Sequence, residues 1–285
     1  MCYAKPGPRC SAHARAELNA ALKANDPQRL AKAKNDYLLT PAGIAEMEVS
    51  DPELAELLRE ERGLLIQQVD MNHGSKIAMP KRKYPSTPYL LESRSKAVGD
   101  LVTNDFDFWG KEVVITEKMD GENTTMYRHG THARSVDSRY HPSRSYVRAF
   151  HASVRHKIAE NQRIIMESVY AEHSIRYEDL DDYVYGIGVV EDEYFLDWDS
   201  TNAVFRNLGL KPVPVLYGGI ATKSVIKDMA ASIDPTRQEG FVVRSRGFFE
   251  ESSFVRNVGK WVRQNHVQTD EHWTRNWVPN KLRQT

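Results

Sequence analysis

Cysteine is nearly absent from this chain: Cys2 and Cys10 are the only two in 285 residues. Two thiols exclude a disulfide framework. With His13 they spell C-x7-C-x2-H, one ligand short of a structural zinc site, so reduced thiols are expected there. Long apolar runs are missing too. No stretch approaches the roughly 18–20 residues that span a bilayer, and the opening MCYAKPGPRC lacks the apolar core of a secretory leader. A mean hydropathy of −0.59 agrees, and a cytoplasmic chain without a membrane partner is the expectation. An excess of either charge is likewise lacking. Lys and Arg number 39, as do Asp and Glu, so net charge neither favours nor excludes a polyanionic partner and local clusters must decide.

What is present falls into two textures. Residues 11–70 are rich in Ala, Leu, Glu and Lys and carry repeated helix starts. Thr40-Pro41 places an N-cap before a proline at the first helical position. Ser50-Asp51-Pro52-Glu53 adds a capping-box spacing ahead of ELAELLREERGLLIQQV. From about residue 80 short β-rich runs take over: EVVITEK (112–118), NTTMYRH (123–129), RIIMESVY (163–170), YVYGIGVVE (183–191), PVPVLYG (212–218) and EGFVVRS (239–245). Helical patterns at 144–159 and 222–232 lie between them, and turns such as His129-Gly130 and Gly218-Gly219 separate the runs. Strands mixed irregularly with helices predict an α+β fold. Antiparallel sheets with flanking helices are expected over 76–285, preceded by a small all-α accessory domain over 1–75.

The stretch EKMDGEN (117–123) follows the apolar run VVIT (113–116). Asp-Gly is a common turn dipeptide, so this could be a hairpin corner with a solvated lysine. The sharper reading makes Lys118 a nucleophile presented by the corner. Lysine is a poor nucleophile at its usual pKa because nearly all of it is protonated; neighbouring cations or burial activate the amine. Lys-x-Asp-Gly alone is a weak signal.

It is not alone. ESVY (167–170), YVYGIGVVED (183–192), EGFVVRS (239–245) and GKWVR (259–263) follow in order. This ordered set resembles the covalent nucleotidyltransferase superfamily of ATP-dependent ligases and mRNA capping enzymes, whose nucleotide-binding domain is ATP-grasp-like. Asn123 and the segments HARSVDSRYHPS, YAEHSIRY and KWVRQNHVQTDEHW resemble the ATP-dependent RNA ligases of phages and bacteria. The resemblance covers roughly residues 80–275.

The resemblance implies a role for each matched residue. Lys118 would attack the α-phosphorus of ATP and become lysyl-AMP. Asp120 and Gly121 would shape the loop, with Asp120 close enough to tune the ammonium. Glu117 lies where such enzymes read the adenine amino group, and Asn123 near the nucleotide phosphate and the metal. Arg134 would contact the nucleotide and the reacting 5′-phosphate, Glu167 the ribose, and Glu239 a divalent cation, Mg²⁺ or Mn²⁺. Lys260 would neutralise the α-phosphate and help depress the pKa of Lys118. Such chemistry is mostly positioning and charge neutralisation, which is why cations and a metal-binding carboxylate recur. Two positions depart from the pattern. Ile187 stands where an aromatic commonly stacks on adenine, with Tyr183 and Tyr185 in register if the alignment shifts by two. GKWVR offers Arg263 where a second lysine often follows Lys260.

Residues 128–148 hold a run of Arg and His with Tyr140 and Tyr146 interleaved. A solvated helix face would look similar, but cations mixed with aromatics also suit phosphate contact and base stacking. Arg139, Arg144, Arg148 and Arg263 are therefore expected to bind RNA. HVQTDEHW (266–273) is read as a capped C-terminal helix rather than a metal site. The expectation is a phosphoric-ester-forming ligase, a monomer joining RNA 5′-phosphate and 3′-hydroxyl ends in RNA repair, beside an end-healing kinase or phosphatase. A DNA ligase or capping guanylyltransferase is the alternative, disfavoured because roughly twenty residues follow GKWVR, too few for an OB domain. A degenerate relative that only binds nucleic-acid ends is a further one.

Overall fold

The computed structural model describes residues 80–93, 100–264 and 277–283, with Ala14 and Ala20. The expected helical domain over 1–75, its boundary, the C-x7-C-x2-H string and the helix expected at 266–273 lie outside the described residues.

Two antiparallel sheets form the body. One has four strands in the order β11 (Val258–Val262), β9 (Gly240–Ser245), β1 (Glu112–Glu117) and β8 (Val215–Ile220). The other runs β10 (Phe249–Glu250), β6 (Tyr194–Phe195), β5 (Val184–Glu191), β4 (Gln162–Ser168), β2 (Glu122–Tyr127) and β3 (Gly130–Ala133), with the short β7 (Lys211–Pro212) parallel to β5. All six predicted β-rich runs are strands. The connections β3, β6 and β10 are strands that the sequence did not suggest. No helix among the described residues is long and apolar enough to cross a membrane.

Period-two alternation sorts the side chains. Val113 and Ile115 of β1, Phe241 and Val243 of β9 and Trp261 of β11 point to one face of the smaller sheet. Helix α3 (Lys223–Ser232), capped by Thr222 accepting from the Val225 N–H at 3.2 Å, covers that face through buried Ile226. On the outer face of the larger sheet, Met126, Ile164, Met166 and Val189 pack against α1 (Ser145–Val154) and α2 (Trp198–Leu208). Each fully buried residue of this kind is worth about 1.5–3 kcal/mol. Helix α2 was not singled out from the sequence, although Asp197 caps its start through the Ser200 N–H at 2.9 Å and left-handed Gly209 closes its end.

The remaining face of each sheet points toward the other. Val114 of β1 packs with Tyr185 of β5, and Val258 with Ile165 and Val190. The turn 118–121 is the crossing between the sheets. Among the described residues, β1 pairs only with β8 and β9, whereas β2 pairs only with β3 and β4. EKMDGEN is therefore not a hairpin corner; the hairpin is the next turn, between β2 and β3.

Candidate active site

A cavity of about 450 Å³ opens where the two inner faces diverge. Lys118, directly after β1, reaches it with its backbone N–H held by the Gly240 carbonyl at 3.0 Å. β11 adds Lys260, paired across the ladder with Val242 of β9. From the larger sheet come Asn123 and Glu167, directly opposite one another on β2 and β4, and Ile187 of β5. Arg134 enters just after β3, held by the Tyr84 carbonyl and by Ser86 Oγ at 3.0 Å. Glu117 also lines the cavity.

Charge is concentrated at Lys118. Its Nζ lies 2.6 Å from Oε2 of Glu239, a carboxylate only 5% exposed, while the lysine side chain is 26% exposed. Burial pushes the ammonium pKa down, but Glu239, Glu167 and Asp120 outweigh it and hold Lys118 above the ordinary lysine value. The expectation of a lowered Lys118 pKa is reversed, because the three carboxylates outweigh burial. It is Lys260 that is lowered, by burial first and then by Lys118; its ammonium sits 3.9 Å from the Tyr89 ring centroid. Glu167 is pushed up to about 8 by burial first and by Glu239 and Asp120, with Lys118 and an Asn123 hydrogen bond opposing.

The Met-Asp-Gly part of the turn is built by packing. A Cβ at Gly121 would overlap the Ser168 carbonyl oxygen on β4, so only glycine permits the crossing there. Asp120 Oδ2 accepts from the Ser174 N–H and hydroxyl at 2.8 and 2.7 Å and from the Ile175 N–H at 2.7 Å. Its own N–H donates to Tyr177 Oη at 2.9 Å. Asp120 thus anchors the loop after β4, and it reaches the ammonium through space, without a hydrogen bond. That loop is laced in turn by Asn280, whose amide donates to Val169 and accepts from the Tyr177 N–H.

The register around Ile187 separates it from its tyrosine neighbours. Ile165 faces Gly188 and Met166 faces Gly186, so Ile187 is the extra residue of a bulge. Ile187 lines the cavity, whereas Tyr185 is buried beneath, its hydroxyl accepting from the Asp181 and Asp182 N–H groups at 3.1 and 3.2 Å. Arg263 lies outside the cavity, donating from Nε to the Gln238 carbonyl at 3.1 Å. Of the expected RNA contacts, Arg139 and Arg148 are exposed and Arg148 stacks 5.1 Å from the Tyr140 ring centroid. Arg144 is committed elsewhere: its guanidinium grips both oxygens of Glu122, with Nε to Oε2 at 2.6 Å. These three arginines border a separate pocket of about 210 Å³.

Two residues at the site were missed in the sequence. Arg244, 5% exposed and stacked between Trp198 and Phe249, borders the cavity as a further cation. Its signal was the arginine inside EGFVVRS, alternating with Val242 on the same strand face. Gln238 donates from Nε2 to Glu117 Oε2 at 3.1 Å, a contact across 121 residues with no local signature.

The RNA ligase family model matches residues 111–262, more than half of the chain. Among solved structures, an archaeal ATP-dependent RNA ligase is 14% identical, with a TM-score of 0.45, over 64% of this chain and 48% of that one. A putative ATP-dependent DNA ligase from Aquifex aeolicus is 17% identical, with a TM-score of 0.38, over 54% and 44%. A Naegleria gruberi RNA ligase variant solved with ATP and Mn is 15% identical, with a TM-score of 0.43, over 65% and 62%. The chain spans about half the length of the first two. No curated protein matches it.

Proposed function

The chain belongs to the RNA ligase family, and from that premise we propose that it is an ATP-dependent RNA ligase working through a covalent Lys118–AMP intermediate. The observation that carries the reading is Lys118 at the sheet crossing, in a cavity it shares with Lys260, Arg134, Asn123 and Glu167. The amine nitrogen bonds to the α-phosphorus of ATP as the bond to the β-phosphate oxygen breaks and pyrophosphate leaves. The ammonium first gives one proton to Glu239, the acceptor 2.6 Å from Nζ, and the second proton, released as the N–P bond forms, leaves with pyrophosphate. AMP then moves to an RNA 5′-phosphate, and an RNA 3′-hydroxyl displaces it to close the phosphodiester bond.

The other residues divide the remaining work. Ile187 and Val242 reach the cavity from opposite sheets and offer two aliphatic walls to the adenine, with Glu117 at its edge. Glu167, carrying a proton near neutral pH, can donate as well as accept at the ribose hydroxyls. Lys260, Arg134 and Arg244 supply positive charge for the phosphates. Residues 1–75 are read as an accessory domain.

Among the described residues no group of three or more His, Cys, Asp or Glu is arranged to hold a metal ion. The carboxylate donor present is Glu239, which suits Mg²⁺ or Mn²⁺, cations that take one or two carboxylates with substrate phosphates and waters. When bound there, such a cation supplies neutralisation of phosphate charge and competes with Lys118 for Glu239.

The test is incubation with α-labelled ATP and Mg²⁺. Wild type should take covalent label and Lys118→Ala none. An unlabelled wild type, or undiminished label on Lys118→Ala, overturns the reading. Comparing ATP with GTP, and RNA with DNA ends, separates RNA ligation from DNA ligation and capping.

A further inference from the structure

We propose that Gln238 is a positioning residue for nucleotide choice: it holds the Glu117 carboxylate so that an acceptor oxygen meets the base. The inference rests on reading Glu117 as the residue at the base edge.

The geometry around Gln238 leaves its amide one orientation. The Asp234 backbone N–H donates to Oε1 at 3.1 Å, and a backbone N–H can only donate. The NH₂ end therefore faces Glu117, donating to Oε2 at 3.1 Å. The Gln238 backbone is tied at both ends, its N–H to the Asp234 carbonyl at 2.9 Å and its carbonyl to Arg263 Nε at 3.1 Å. Asp234 is fixed in turn by the Thr236 N–H and hydroxyl at 2.8 and 2.6 Å. A carboxamide pinned this way presents a donor to Glu117 in every turnover.

Glu117 is held from behind. It lies in the wall between the Lys118 cavity and an outer pocket of about 680 Å³, and Gln238 lines only the outer one. With Oε2 occupied from the outer side, Oε1 is the oxygen with no donor among the described residues. Burial leaves the Glu117 pKa raised on balance, with the Gln238 hydrogen bond and the Arg237 charge opposing it; the donor fixed on Oε2 is the contact that favours the ionised form. An ionised carboxylate only accepts. Adenine presents an amino donor at the 6-position, whereas guanine presents an oxygen there, which a carboxylate repels.

Donor–acceptor polarity gives the test. In Glu117→Gln the pinned Gln238 donor takes the new amide's carbonyl, so its NH₂ turns to the base and suits the guanine oxygen. In the double swap Glu117→Gln/Gln238→Glu, the carboxylate at 238 accepts from both the Asp234 N–H and the new amide. The carbonyl of residue 117 then faces the base, and the preference for adenine returns. Gln238→Leu removes the hold without reversing it.

Rates of covalent labelling with α-labelled ATP and GTP, below saturation, read the preference directly. Gln238→Leu should lower the ATP-over-GTP ratio about tenfold, the worth of one hydrogen bond to a charged group. Glu117→Gln should lower it further, and the swap should recover most of it. At saturating ATP the labelling rate of Gln238→Leu should stay near wild type, placing the effect in the apparent KM. A purely structural role would instead lower both nucleotides together, and the swap would rescue nothing. A labelled wild type with an unchanged ratio in Gln238→Leu, or a swap no better than Glu117→Gln, overturns the inference and leaves the ligase reading standing. A wild type that takes no label overturns both.

Discussion

Lys118 Nζ and Glu239 Oε2 lie 2.6 Å apart across 121 residues of sequence, and this ion pair sets the resting charge of the lysine. Burial alone would favour the neutral amine; Glu239 and Glu167 reverse that. Because the folded pKa is raised, the pair's contribution to stability is present below the unfolded lysine pKa and is lost only as pH rises through the folded one. Glu239→Gln should let burial dominate and free the amine. Reaction of Lys118 with an acylating amine reagent at pH 8, followed by peptide mapping, should then quicken several-fold over wild type. An unchanged rate would show that Glu239 does not control the proton.

Glu167 should make stability fall with pH near neutrality. Its folded pKa, pushed up to about 8, lies above the ordinary carboxylate value of 4.5. The folded state therefore binds more protons than the unfolded state between those limits, and stability declines as pH rises through them. Glu167→Gln removes this titration. Its melting temperature should equal or trail wild type at pH 4.5 and exceed it at pH 9; parallel curves would refute the raised pKa.

The turn should fail by two separable routes. Gly121→Ala drives a Cβ into the Ser168 carbonyl and should cost about 1–3 kcal/mol through forced backbone movement. Asp120→Ala strips the acceptor from the buried Ile175 N–H and from the N–H and hydroxyl of Ser174, an exposed residue that water can serve, and should cost about 1–3 kcal/mol for the one orphaned buried group. Urea unfolding at neutral pH measures both. A cost below about 0.5 kcal/mol, within the range of an ordinary surface substitution, would show that the loop is not held as described.

The basic segment should split by function. Arg139→Ala and Arg148→Ala should each weaken RNA affinity and reduce the salt slope of log K by about 1. Arg144→Ala should instead lower the melting temperature, since it leaves the Glu122 carboxylate, whose side chain is 12% exposed, without its partner. RNA affinity measured from 50 to 200 mM salt, beside thermal melts, distinguishes them. Equal salt slopes for all three would erase the distinction.

Much of the fold was legible because it depends on local pattern. Runs such as EVVITEK and RIIMESVY alternate with period two and are bounded by turns, and each became a strand. The two-residue strands β6 and β10 have too little sequence to show a period; they exist because Phe195 and Phe249 stack 5.0 Å apart in the core between the sheets. Helix α2 lay unread behind its own cap and Gly209.

The sequence by itself determined the identities: a lysine before an Asp-Gly turn, carboxylates and cations in a fixed order, and strands that carry them. Local propensity and residue chemistry suffice for that. Only tertiary structure decided how they combine. It turned the supposed hairpin corner into a crossing between sheets and raised the Lys118 pKa rather than lowering it. It also brought Ile187, and not Tyr183 or Tyr185, to the cavity through a bulge, and bound Arg144 to Glu122 and Gln238 to Glu117. Each of these depends on strand pairing and on distances of a few ångströms between residues remote in the chain. Charge state and hydrogen-bond polarity follow those distances, which no local window of sequence contains.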